Sequence, residues 1–177
     1  SDKNKIRNIL GGLLSFVIFL GIIFYANKTI AQNPESVRLF FTSSEREVSE
    51  GEKIVIDVKL TSREQSINAI YGIVSYPSSL VRVVSLTKEK SIVNLWTQEP
   101  KLRLNNILFE GVILNPGFQN SNGLIFRIIF EAKKSGRVSL NFNEGSVLAN
   151  DGKGTNILTS LGSINFNISP RHPDPRP

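Results

Sequence analysis

Among its 177 residues the chain has no cysteine, no methionine and one histidine. Without cysteine there is no disulfide, no thiolate metal ligand and no thiol nucleophile, so an exported domain must be held by its core alone. The single histidine, His172, sits in a proline-rich tail, which leaves Ser–His–Asp and Cys–His arrangements without their base inside a folded domain. Excess charge is also scarce where it would matter. Of the 21 Lys and Arg, Lys3, Lys5, Arg7 and Lys28 precede residue 33, as does Asp2 among the 15 Asp and Glu, so the rest of the chain carries only +3. That charge is spread along the sequence and forms no basic stripe, and nucleic acid is not expected as a partner. No cofactor is expected either.

Only one long hydrophobic run is present, and it stands near the start. Residues 9–26 carry no charge over eighteen positions and follow Lys3, Lys5 and Arg7. A hydrocarbon core about 30 Å thick needs roughly 17–25 such residues in a helix, so this segment is expected to cross a membrane. Residues 1–8 then form a cytoplasmic basic flank, and everything after a linker at 27–35 lies outside the cell in a single-pass protein. Two other readings stand beside the anchor: a cleaved secretory signal ending at Thr29-Ile30-Ala31, and a buried core helix. The run exceeds the roughly 7–15 residues of a signal's apolar region and has no polar stripe, which favours the anchor. At the far end, residues 169–177 read as a polyproline-type spacer.

Between these ends, residues 36–168 supply enough chain for one core and not two. Apolar residues there recur with period two, the signature of half-buried strands. Ile54, Ile56, Val58 and Leu60 alternate with polar neighbours, as do Leu124, Phe126, Ile128 and Phe130, then Val138, Leu140 and Phe142, then Ile164, Phe166 and Ile168. Clusters such as Asn115-Pro116-Gly117 and Lys134-Ser135-Gly136 mark the turns. The expectation is an all-β sandwich of about nine strands, in jelly-roll or immunoglobulin-like connection, with a helical turn near 88–94 as the one exception.

Chemistry-bearing residues are few. Glu110, in Leu108-Phe109-Glu110-Gly111-Val112, is the best carboxylate for a glycosidase, but reads more simply as a surface residue at a strand end. Asp151-Gly152-Lys153-Gly154-Thr155-Asn156 has the look of a calcium loop without its alternating acids, and a glycine-rich turn explains it without a metal. The departure from strand logic lies at 69–76: with Ile70, Val74 and Tyr76 inward, Tyr71 and Ile73 point outward beside Ala69 and Ser75. Apolar residues grouped on an outward strand face mark a recognition surface. Trp96, the only tryptophan, has two readings: a cap on the core or a binding anchor at a rim.

Several blocks, in order, resemble the cohesin domain, the module that bacterial cellulosome scaffoldins use to capture dockerin-bearing proteins. They are Val48-Ser49-Glu50-Gly51-Glu52 before the strand at 54–60, Ile67-Asn68-Ala69-Ile70-Tyr71-Gly72 leading into Tyr76-Pro77-Ser78-Ser79-Leu80, and Asn115-Pro116-Gly117-Phe118. Gly123-Leu124-Ile125-Phe126 running on to Phe130-Glu131-Ala132-Lys133, and Val147-Leu148-Ala149-Asn150-Asp151-Gly152, complete the set. The resemblance implies a nine-stranded flattened jelly roll, related to carbohydrate-binding folds, that binds protein and performs no chemistry. It also implies a flat recognition face that includes residues 69–76, where two positions that are Asn and Asp in the family pattern fall on Ala69 and Tyr71. A polar strip has become apolar and aromatic, which changes specificity more than packing. The expected function is a non-catalytic module capturing a dockerin-like or other surface protein, with Ala69, Tyr71, Ile73, Ser75, Trp96 and Glu110 as partner-binding residues. The alternative is a carbohydrate-binding module that stacks Tyr71 or Trp96 on a polysaccharide.

Overall fold

The computed structural model describes residues 37–171; the apolar run at 9–26, His172 and the end of the proline-rich spacer lie outside them. Among the described residues ten strands follow one another: β1 (Arg38–Thr42), β2 (Glu47–Ser49), β3 (Lys53–Ser75), β4 (Val81–Thr87), β5 (Leu95–Arg103), β6 (Asn106–Val112), β7 (Phe118–Ala132), β8 (Gly136–Ala149), β9 (Ser160–Leu161) and β10 (Ser163–Ser169). No helix occurs among the described residues. The turn expected near 88–94 is not helical: Ser91 N–H donates to the Lys88 carbonyl at 3.0 Å, and Lys90 between them has φ 61°.

The count of ten corrects the expected nine. A two-residue β9 pairs with the start of β1, and one residue, Gly162, separates it from β10. In the other direction, two expected strands merge in β3. Its first part, 53–60, pairs antiparallel with β1 and β7, and its second part, 67–75, with β6 and β8. Between the parts the register slips, and the buried Ser62 hydroxyl donates to the Gln65 carbonyl at 2.6 Å, which satisfies a polar group inside the bend.

One hydrogen-bonded network thus folds over on itself into two layers. Aromatic contacts between the layers show it: Phe109 on β6 meets Phe126 on β7 edge-on at 5.1 Å, and Phe41 on β1 stacks on Phe142 of β8 at 4.4 Å. The alternation in the sequence supplies the filling, since Ile54, Ile56, Val58 and Leu60 from one part of β3 and Ile67, Ile70 and Val74 from the other all enter one buried core.

One inward assignment is corrected. Val58 pairs with Phe126, but the next residue, Lys59, pairs with Leu124, so Ile125 is an extra residue in β7. At this bulge both Ile125 and Phe126 are buried, and Leu124 turns to the other side of the strand.

Candidate binding face

The second part of β3 runs with β6 on one side and β8 on the other. Its inward residues are Ile70, Gly72 and Val74, all buried; its outward residues Ala69, Tyr71, Ile73 and Ser75 are half-buried. Antiparallel pairing carries this facing to the neighbours, because residues directly opposite share a side. Val112 and Leu148 flank Ala69, Glu110 and Ser146 flank Tyr71, and Leu108 and Glu144 flank Ile73. Asn106 and Asn141 flank Ser75. Strand β5 adds a fourth column, with Leu95, Gln98, Lys101 and Arg103 opposite Val112, Glu110, Leu108 and Asn106.

The face therefore grades along the strands. It is apolar at the Ala69 end, mixed around Tyr71 and Ile73, and polar at the Ser75 end. At that polar end the Asn143 amide donates to Asn106 Oδ1 at 3.2 Å, and the Ser75 hydroxyl donates to the Asn141 carbonyl at 3.4 Å. At the centre the Tyr71 hydroxyl donates to Glu144 Oε2 at 3.1 Å. The phenol titrates above its ordinary value, first through desolvation, then through the hydrogen bond and negative charge of Glu144, and last through the charge of Glu110.

Five of the six residues singled out in the sequence thus meet on one face: Ala69, Tyr71, Ile73 and Ser75 along β3, and Glu110 beside them. Trp96 does not join them. It pairs with Gly111, whose neighbours in β6 face outward, so the indole lies on the inner side of the sheet against the core. Lys88 covers its ring, the ammonium 6.0 Å from the centroid, and also pairs with Glu99. In the loop that resembles a calcium site, the Asp151 carboxylate accepts from Lys153 N–H at 2.8 Å and from the Thr155 hydroxyl at 2.6 Å. These bonds hold the carboxyl below its usual range. Open depressions lie elsewhere, one lined by Ser91, Asn94, Leu114 and Phe118 and another by Ser49, Glu52 and Arg171.

No protein-family model matches the chain, and no curated protein matches it. Solved structures do. A non-cellulosomal cohesin from the archaeon Archaeoglobus fulgidus superposes with a TM-score of 0.61 at 17% identity, over 76% of this chain and 91% of that one. The domain has the cohesin fold. A cohesin module from a family 33 glycoside hydrolase of Clostridium perfringens gives 0.61 at 12% identity, over 77% and 100%. A type I cohesin of Clostridium thermocellum, solved in complex with a dockerin, gives 0.60 at 16% identity, over 76% and 100%. At these identities the likeness is one of backbone fold.

Sequence reasoning misses Glu144, Leu108, Leu148 and Lys101, although they share the outward face with Tyr71. Alternation does mark Leu108 and Glu110 as sharing one side of their strand. Only pairing places them beside β3.

Proposed function

We propose that the chain is a non-catalytic binding module that captures a protein partner, of dockerin or similar kind, on the outward face of β5, β6, β3 and β8. The observation that carries this reading is the half-buried apolar strip Ala69, Tyr71 and Ile73, continued sideways by Leu108, Val112 and Leu148. A contiguous apolar strip with a polar border is what a protein interface covers. The cohesin structures solved with dockerins support the same reading by fold. A polysaccharide reading needs rings presented together, whereas Tyr71 and Trp96 lie on opposite sides of their sheet.

In this proposal residues 9–26 anchor the module and the β-domain is displayed outside the cell. Protease accessibility of the domain in intact cells, and the mass of the mature N-terminus, check the anchor independently of binding.

The test of the binding face compares capture from the envelope fraction with binding to a polysaccharide array, using the full chain and its Tyr71→Ala and Ile73→Ser variants. The expected result is a captured protein whose affinity falls about 30-fold or more on Tyr71→Ala, as for an interface hot spot. Protein capture unchanged by both substitutions overturns the proposed face, and array binding without protein capture favours the polysaccharide.

A further inference from the structure

The centre of the face carries a charge pattern that the apolar strip alone does not explain. Glu110 stands directly across from Tyr71 on β6, and on the β8 side Glu144 accepts the phenol hydrogen bond. One aromatic ring is thus bracketed by carboxylates from both neighbouring strands. The ion pairs formed among the described residues, Arg82–Glu131, Lys88–Glu99 and Arg127–Asp57, include neither of them. The chain does not lack cations, with 21 Lys and Arg against 15 Asp and Glu. Two cations on this face, Lys101 and Arg103, stand on edge strand β5 across from Leu108 and Asn106, whereas Gln98 is the β5 residue across from Glu110.

We infer that the partner places a lysine or arginine side chain over Tyr71, between Glu110 and Glu144, and that this contact decides which proteins the face accepts. The inference rests on the protein-binding reading above and specifies the chemistry of the partner. A protein covering Ala69, Tyr71 and Ile73 must also exclude water from the two carboxylates. An acidic partner repels them, and an uncharged one offers neutral hydrogen-bond donors at best and no counter-charge for their desolvation. A cationic side chain gives each carboxylate a counter-charge and lies against an aromatic face, a geometry that is attractive in its own right. Selectivity then comes from the penalty on wrong partners as much as from the gain with the right one. Desolvation first, and after it the hydrogen bond and charge of Glu144 and the charge of Glu110, raise the Tyr71 phenol.

The test uses a displayed library of random peptides of about 12 residues, long enough to cross four strands spanning about 14 Å. It is panned on the full chain and on the Tyr71→Ala/Ile73→Ser, Glu110→Gln/Glu144→Gln and Glu110→Lys/Glu144→Lys double variants, with thermal melts confirming that each folds. The expected result is enrichment of Lys and Arg in peptides that need Tyr71 and Ile73, affinity about tenfold or more weaker for the Gln variant, and a shift to Asp and Glu on the Lys variant. Peptides that need Tyr71 and Ile73 but carry no excess of Lys or Arg, and bind the Gln variant equally, overturn this inference and leave the protein-binding reading intact. If no selected peptide depends on Tyr71 and Ile73, both readings fail.

Discussion

Gly72 stands between Tyr71 and Ile73 with its missing side chain directed inward, where the Phe109 ring occupies the space. A β-carbon built at Gly72 meets the Phe109 Cζ in a clash and its Cε1 at 2.7 Å. Phe109 in turn meets Phe126 of the other layer and is fully buried, so it has little room to yield. Gly72→Ala is expected to destabilise the domain by about 1–3 kcal/mol through overpacking, read as a lower urea midpoint. Its neighbour Tyr71 offers a second residue-scale prediction. The folded-state phenol pKa is raised, so the unfolded state ionises first, and the contribution is fully present below about pH 10, the ordinary tyrosine value. Stability should therefore fall as pH rises from there toward the folded value. Glu144→Gln, which removes the hydrogen-bonded negative charge, should bring the Tyr71 titration closer to ordinary, as followed by carbon NMR of labelled tyrosine. An unmoved titration removes Glu144 as a cause.

At the scale of single elements, bulges decide what alternation cannot. Strand β5 slips register twice against β6, between Trp96 and Gln98 and again between Gln98 and Lys101. With those slips, Leu95, Gln98, Lys101 and Arg103 share the outward side although their spacing is not uniformly two, and Trp96 goes inward. The same effect turns Leu124 away from Phe126 in β7. A period of two was legible along β3, β7, β8 and β10, and on β3 it turns Ala69, Tyr71, Ile73 and Ser75 outward, where residues 69–73 are regular. It fails wherever one extra residue enters the ladder. The β5–β6 hairpin turns through Leu104 and Asn105, and Leu104 has φ 52° while being 95% exposed. An L-residue in that conformation costs about 1–2 kcal/mol, and this turn position favours glycine. Leu104→Gly should raise stability by roughly 0.5–1 kcal/mol after the entropy of glycine is deducted. Thermal unfolding checks this; a lower midpoint would show that Leu104 makes a compensating contact.

For the whole molecule, β3 is the element that makes the two layers one cooperative unit. Ile56 in its first part and Ile70 in its second are both buried in the same core, at 0% and 1% exposure. Ile56→Ala and Ile70→Ala should each cost about 2–5 kcal/mol and shift one common transition in chemical denaturation, with intrinsic fluorescence and circular dichroism coinciding. Separate transitions for the two variants would mean that the layers unfold independently. Such losses are large against the roughly 5–15 kcal/mol typical of a folded domain, and no disulfide is present to offset them.

The residues alone carry the all-β class of the described domain, the turns that bound most strands, the inward sets on β3, β8 and β10, and the lack of any thiol. All of these follow from residue type and a local period of two. That Glu110 and Glu144, from strands distant in the chain, meet around Tyr71, and that Trp96 faces away from them, comes from the folded arrangement of the strands. Strand partners and bulge positions depend on contacts between remote segments, which no local periodicity encodes.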